Sequence, residues 1–272
     1  MNRIDRIFHD LRARRAKALM PFITAGDPDV ATTAELLPAL EQAGASVVEI
    51  GFPFSDPIAD GPVIQASMTH ALDRGLRVAH IFEHVAGVRD RVGLGLVAMV
   101  SYSIVHRWGV DRFARDAAAA GFDALLIPDL PVDSAGEARD ATHDAGLALS
   151  MLVAPTTPDA RAAEIARAAS GFLYVLSRAG VTGERAELPA ELPARIGRLR
   201  DATDLPIAVG FGIASGEQVR QVVRVADAAI VGSAIVRRVA EHRDADRTAI
   251  IEQVASLTRE LAAGLADPAA TT

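Results

Sequence analysis

The chain has 272 residues, 50% hydrophobic and 23% charged, a balance expected of a globular protein able to bury a sizeable core. Its 35 acidic and 28 basic side chains give a formal charge of −7, which argues against nucleic acid and anionic membranes as partners. Cysteine is absent, which excludes disulfides, thiol nucleophiles and cysteine metal sites; neither a signal-peptide core nor an apolar run near the ~18 residues of a membrane span is present, so a cytoplasmic location is expected.

In chain order, RIDRIFHDLRARR reads as a capping helix, with the basic cluster RARRAK at 12–17 on a solvated face of it. Eight short apolar runs then read as buried strands: ALMPFIT (18–24), SVVEIG (46–51), GLVAMVSY (95–102), DALLIP (123–128), ALSMLVA (148–154), GFLYVLS (171–177), PIAVGFG (206–212) and AAIVGS (228–233). Ala-rich segments at 29–44, 109–121, 133–146, 157–170, 191–203 and 215–226 separate many of them, with apolar residues at helical spacing and a capping Asp, Ser or Thr near many of their starts. Strand and helix alternate without a composition shift, and the strands are apolar nearly throughout, as in a parallel sheet covered on both faces. Eight such units predict an α/β fold, a (β/α)8 TIM barrel in one domain over 1–265, with the N-terminal capping helix and an extra C-terminal helix in TAIIEQVASLTRELAAGL. Residues 266–272 read as a disordered tail. An open doubly wound sheet fits less well: the first turn, ITAGDPD, is no dinucleotide fingerprint, and GLGLVA at 93–98 matches one only ahead of its strand.

In such a barrel, function gathers where strands end at their C-termini. Those ends carry Thr24 and Asp27, Glu49 with Asp56 and Asp60, Tyr102 and Ser103, Asp129, the stretch 177–183, and the glycines of GFG (210–212) and GSA (232–234). The two glycine motifs follow the seventh and eighth strands, where backbone N–H groups and a helix N-terminus make a phosphate site in many barrels; either motif alone would be ordinary turn chemistry. RAGVTG at 178–183 reads equally as a lid or as a long loop. Glu49 lies in an apolar strand, where burial would raise its pKa towards proton-transfer duty, although a Glu that only pairs with a cation would look the same. Asp56 before Pro57, Asp60 before Gly61, and Asp129 in IPDLP are ordinary turn residues. His80 and His84 share a helix face but lack the zinc-protease order, so no metal site is expected.

Seven segments, MPFITAGDPD (20–29), EIGFPFSDPIADGPVIQ (49–65), IPDLP (127–131), APTTPD (154–159), LSRAGVTG (176–183), AVGFGI (208–213) and IVGSAIV (230–236), resemble, in order, the signature segments of the tryptophan synthase alpha subunit family. The resemblance implies a lyase that splits indole-3-glycerol phosphate to indole and glyceraldehyde 3-phosphate in tryptophan biosynthesis, with no metal or organic cofactor. It assigns proton transfer to Glu49 and recognition of the indole N–H to Asp60. The substrate phosphate falls to Gly183, Gly212, Gly232 and Ser233, and the indole pocket to Phe22, Tyr102, Leu126, Tyr174 and Phe211. A lid over 178–190 carries Arg178, Gly180 and Thr182, the last orienting Asp60. It further implies a beta subunit, in a complex of two alpha and two beta chains, docked against Pro53, Asp56, Pro57, Asp129 and Pro131 and holding pyridoxal phosphate itself. One position departs from the family pattern: Ile104 stands where Asn is usual, in the loop after the third strand.

Overall fold

The computed structural model of the chain describes residues 1–57, 60–177, 189–210 and 212–266. Eight strands close into a barrel: β1 (Ala18–Thr24), β2 (Val47–Gly51), β3 (Gly95–Met99), β4 (Ala124–Leu126), β5 (Ala148–Val153), β6 (Leu173–Leu176), β7 (Ile207–Gly210) and β8 (Ala228–Val231). Each runs parallel to the next and β8 pairs with β1, so no edge is left open.

Side chains alternate along each strand between two apolar clusters. Leu19, Ile23, Val48, Ile50, Leu96 and Leu125 face the surrounding helices, whereas Met20, Val47, Val97, Ala124, Leu126 and Tyr174 fill the barrel. Helix α1 (Arg3–Ala13) closes the N-terminal end by adding Ile4, Phe8 and Leu11 to the inner cluster; Phe8 and Phe172 meet at 6.1 Å between ring centroids. Its start is fixed by a capping box in which Asn2 accepts from the Asp5 N–H and the Asp5 carboxylate accepts from Asn2. The basic run expected on this helix mostly leaves it, because the helix stops at Ala13 and Arg15 turns to φ 52°.

The remaining helices are α2 (Val30–Gln42), α3 (Pro62–Asp73), α4 (Val78–Val88), α5 (Tyr102–Trp108), α6 (Val110–Ala120), α7 (Gly136–Asp144), α8 (Asp159–Ala168), α9 (Leu192–Arg200), α10 (Gly216–Val223), α11 (Ser233–Glu241) and α12 (Arg247–Ala262). Several strands are shorter than the apolar runs, and at two of them a helix begins inside the expected run. The third run was expected to stay extended to Tyr102, yet β3 ends at Met99. Ser101 caps α5, and the Asp129 carboxylate, arriving from the next loop, accepts from the Tyr102 N–H at 2.8 Å. Likewise the eighth run ends at Val231, and Ser233 opens α11. Between β2 and β3 lie two helices, α3 and α4; Pro62 at the first position of α3 supplies the helix-start geometry.

The loop after β2 is anchored from behind. Phe52, 2% exposed, meets Phe82 of α4, Phe113 of α6 and Phe122 at 5.8 Å each between ring centroids. Burying one such ring contributes roughly 1.5–3 kcal/mol, so the root of this loop is fixed by packing. Among the described residues, no helix is long and apolar enough to cross a membrane.

Candidate active site

Strand alternation decides where Glu49 points. Val48 and Ile50 belong to the outer cluster and Val47 to the inner one, so Glu49 faces the barrel interior. It is 0% exposed, and neither carboxylate oxygen has a hydrogen-bond partner among the described residues. A structural glutamate at such a depth would be paired with a cation or with N–H donors. With no such partner, burial alone raises its pKa to about 8, and the group is a neutral acid at pH 7.

A second carboxyl, that of the half-buried Asp60, comes from the loop after β2 and lines the cavity at this end of the barrel. Burial raises Asp60 to about 6. Tyr174, on β6, is held well above the ordinary phenol range, first by burial and then by the negative charges of Glu49 and Asp60, which places both carboxylates within electrostatic reach of one ring. The ring fits because β7 ends in Gly210: a Cβ there would lie 2.5 Å from the Tyr174 hydroxyl. The Asp60 carbonyl accepts from Gln65 Nε2 at 2.8 Å, and the same amide nitrogen donates to the Pro57 carbonyl at 3.1 Å.

Beside these groups opens a cavity of about 360 Å³. Phe22, Phe52, Phe54, Met68 and Met99 give it an apolar wall, while Asp56, Asp60 and Asp129 supply carboxylates. An apolar slot with few polar groups suits a flat aromatic ligand. Phe22 lines the slot and pairs in register with Glu49, which is itself not among the described lining residues. Tyr102, Leu126 and Tyr174 are not among the described lining residues. Leu126 and Tyr174 belong to the inner cluster, and Tyr102 instead packs from α5 against the outer cluster, 5.8 Å from the His106 ring.

The glycine ends follow β7 and β8, the strands that lead round the barrel to β1. Gly212, with φ 80°, follows β7, and Gly232 follows β8. A Cβ on Gly232 would lie 3.8 Å from the Phe22 Cβ. Gly232 gives α11 no side-chain cap among the described residues, as is also true of α3, α4 and α6 to α9, whereas Asp29, Ser101, Ser215 and Asp246 cap α2, α5, α10 and α12. A helix N-terminus without a side-chain cap suits an anion, and Ser233 is the first residue of α11. Gly183, Phe211 and the lid residues Arg178, Gly180 and Thr182 lie outside the described residues.

Of the residues expected at a partner surface, Asp56, Asp129 and Pro131 are exposed, Pro57 is half-buried and Pro53 is buried. Pro53 lines instead a second cavity of about 520 Å³ with Phe54, Val78, Ile104 and Trp108. Asp129 is tied down by Ser101 Oγ at 2.7 Å as well as by the Tyr102 N–H. Asp27, which the sequence only placed at the end of β1, is 2% exposed. It accepts from Ser67 Oγ at 2.5 Å and from Arg243 Nε and a terminal nitrogen at 3.0 and 2.9 Å, with His70 Nδ1 at 3.1 Å. This clasp joins the β1 loop to α3 and to the connection between α11 and α12. His84 Nδ1 lies 2.9 Å from the His80 carbonyl, and among the described residues no group of three or more His, Asp or Glu is arranged to hold a metal.

Sequence reasoning missed Phe52, Phe54, Met68 and Met99 as cavity wall and Gln65 as a clamp. The available signal was the alternation of phenylalanines in GFPFSD, directly after the strand that carries Glu49.

The family model for the tryptophan synthase alpha chain matches residues 8–266. The tryptophan synthase alpha chain of Citrifermentans bemidjiense is 43% identical over 265 residues, covering 97% of this chain and 98% of that one. The alpha chain of Chloroflexus aggregans is 45% identical over 266 residues, covering 96% and 100%. Among solved structures, a Mycobacterium tuberculosis tryptophan synthase chain superposes with a TM-score of 0.88 at 36% identity, covering 97% of this chain and 98% of that one. Tryptophan synthase subunit alpha from Legionella pneumophila superposes with a TM-score of 0.88 at 34% identity, with coverage of 97% and 98%.

Proposed function

The chain belongs to the tryptophan synthase alpha chain family, and from that premise we propose how its own residues perform the family's reaction. That reaction is the retro-aldol cleavage of indole-3-glycerol phosphate to indole and glyceraldehyde 3-phosphate, a step of tryptophan biosynthesis carried out together with a beta subunit. Breaking the bond between indole C3 and the glycerol chain requires somewhere for its electron pair to go. The ring itself serves once C3 is protonated, because the resulting iminium-like ring then accepts the pair and returns to aromatic indole.

Glu49 donates that proton. Its burial keeps it protonated at neutral pH, and after donation the carboxylate takes the proton of the glycerol hydroxyl that becomes the aldehyde, which restores the starting state. Asp60 stays largely ionised at pH 7 and accepts the indole N–H, which stabilises the positive charge that the ring gains on protonation. Phe22, Met68 and Met99 would pack the indole, with Leu126 and Tyr174 closing the interior below and Phe211 as a further wall, whereas Tyr102, packed against the outer cluster, takes no part in the slot. Gly183, Gly212, Gly232 and Ser233 would hold the phosphate, the last three at the open ends of β7, β8 and α11. Arg178, Gly180 and Thr182 would belong to a lid.

The chain's single lysine, Lys17, is at the opposite end of the barrel, where it donates to the Ala226 carbonyl at 2.8 Å. No lysine is therefore placed at the C-terminal mouth to form an imine with a carbonyl group or with pyridoxal phosphate. We assign that cofactor to the beta partner and the reaction in this chain to acid–base chemistry without a metal or organic cofactor. We place the partner against the loop from Pro53 to Pro57 and the segment from Asp129 to Pro131, in a complex of two alpha and two beta chains in the cytoplasm. In support, the groove beside Phe54, Ile104 and Trp108 is apolar and adjoins the active-site cavity through Phe52 and Phe54.

The observation that carries this reading is a fully buried Glu49 with no hydrogen-bond partner among the described residues, within electrostatic reach of the same Tyr174 ring as Asp60. Mixing the purified chain with indole-3-glycerol phosphate should release indole, and Asp60→Asn should nearly abolish release while leaving inorganic phosphate binding intact. No indole from the parent chain would sink the reading, and near-parental turnover by Asp60→Asn would remove Asp60 from it.

A further inference from the structure

Asp60 reaches the cavity from a loop, and a loop carboxylate needs something to fix its backbone if it is to meet one ring N–H. Gln65 supplies the fixing contacts. It is on the first turns of α3, and its Nε2 donates to two carbonyls on either side of the bend, Pro57 at 3.1 Å and Asp60 at 2.8 Å. The Asp60 N–H in turn donates to the Pro57 carbonyl at 3.0 Å, so a single amide nitrogen ties together both ends of the turn that presents the carboxylate. The platform beneath is itself held. One turn further along α3, Ser67 and His70 face the buried Asp27 carboxylate, which Arg243 grips through two nitrogens. Ile64 and Met68 of the same helix pack with Phe22 in the apolar wall. Gln65 thus connects a fixed helix to the backbone of the carboxylate on which the reaction depends.

We propose that Gln65 is a positioning residue for catalysis, acting through its side-chain amide on the backbone of Asp60 without touching the substrate. The proposal rests on the role given to Asp60 above. A displacement of about 1 Å at a reacting group can cost about 10²-fold in rate, and loss of the amide donor removes both side-chain ties and leaves the turn held by the Asp60 N–H to Pro57 carbonyl bond.

Gln65→Met tests it, since Met keeps the length and the helix preference and removes the amide whose nitrogen makes both contacts. The expected result is a fall in kcat for indole release of about 10²-fold, with the melting temperature and the affinity for inorganic phosphate unchanged. Relabelling the Asp60 carboxyl with 13C adds a second readout: its titration midpoint should move from about 6 in the parent towards the ordinary carboxylate range as the turn relaxes into water. A kcat within twofold of the parent overturns the inference, as does a loss matched by a fall in melting temperature or phosphate affinity, which would make Gln65 merely structural. Asp60→Asn, measured in parallel, separates the two levels. If it is inactive while Gln65→Met turns over normally, the inference alone fails; if it retains near-parental turnover, the role of Asp60 fails and the inference falls with it.

Discussion

Glu49 is a destabilising residue in its own fold, and that gives its role a thermodynamic signature. Because the folded chain holds this proton to about pH 8 whereas an unfolded Glu releases it near 4.3, folding takes up a proton across that interval. The group's contribution to stability is therefore fully present below about pH 4 and is lost as pH rises through about 8. Glu49→Gln removes this dependence. Relative to the parent it should gain stability as pH rises from 4 to 7, by on the order of 3 kcal/mol, while losing all turnover and retaining phosphate binding. Thermal melts at several pH values check this; a parent and variant that differ equally at pH 4 and 8 would show that Glu49 is not held protonated. A carboxylate inside an apolar run is visible in the sequence. What decides its meaning is the lack of a partner, which only the assembled barrel reveals. The two loop aspartates could not be told apart from turn chemistry, because Asp56 and Asp60 sit in equally ordinary turn dipeptides; the family resemblance gives them different roles, and the structure finds Asp60 half-buried and Asp56 exposed.

At the scale of elements, the strands were legible because a buried parallel strand is apolar along its whole length. Their ends were less so. The third run continues apolar or neutral past Met99, and what stops the strand is a cap assembled partly from Asp129, a residue 27 positions away from the Tyr102 N–H it accepts from. Helix α3 carried a start signal in Gly61-Pro62, yet its importance comes from the Asp27 clasp, whose members are scattered from 27 to 243 along the chain. That clasp has a measurable strength. Arg243→Ala would leave the Asp27 carboxylate, 2% exposed, with only Ser67 and His70, and should lower unfolding stability by on the order of 3 kcal/mol, read as a lower urea midpoint. An unchanged midpoint would mean that the ion pair contributes nothing net and that α3 is held by packing alone.

For the whole molecule, the count of eight alternating units was enough to imply a closed barrel, and the barrel told where chemistry gathers before any side chain was placed. The glycines after β7 and β8 took on their meaning only from that closure. They end on directly paired strands, and pairing of β8 with β1 brings Gly232 beside Phe22. The apolar slot was not legible in the same way, since its wall is drawn from β1, the loop after β2, α3 and β3, segments with no common sequence signal. The central claim is that Glu49 enters the reaction as an acid. The dependence of kcat/KM for indole release on pH tests it most directly: the account expects activity to fall above about pH 8 as Glu49 gives up its proton, and a rate that keeps rising to pH 9 would contradict it.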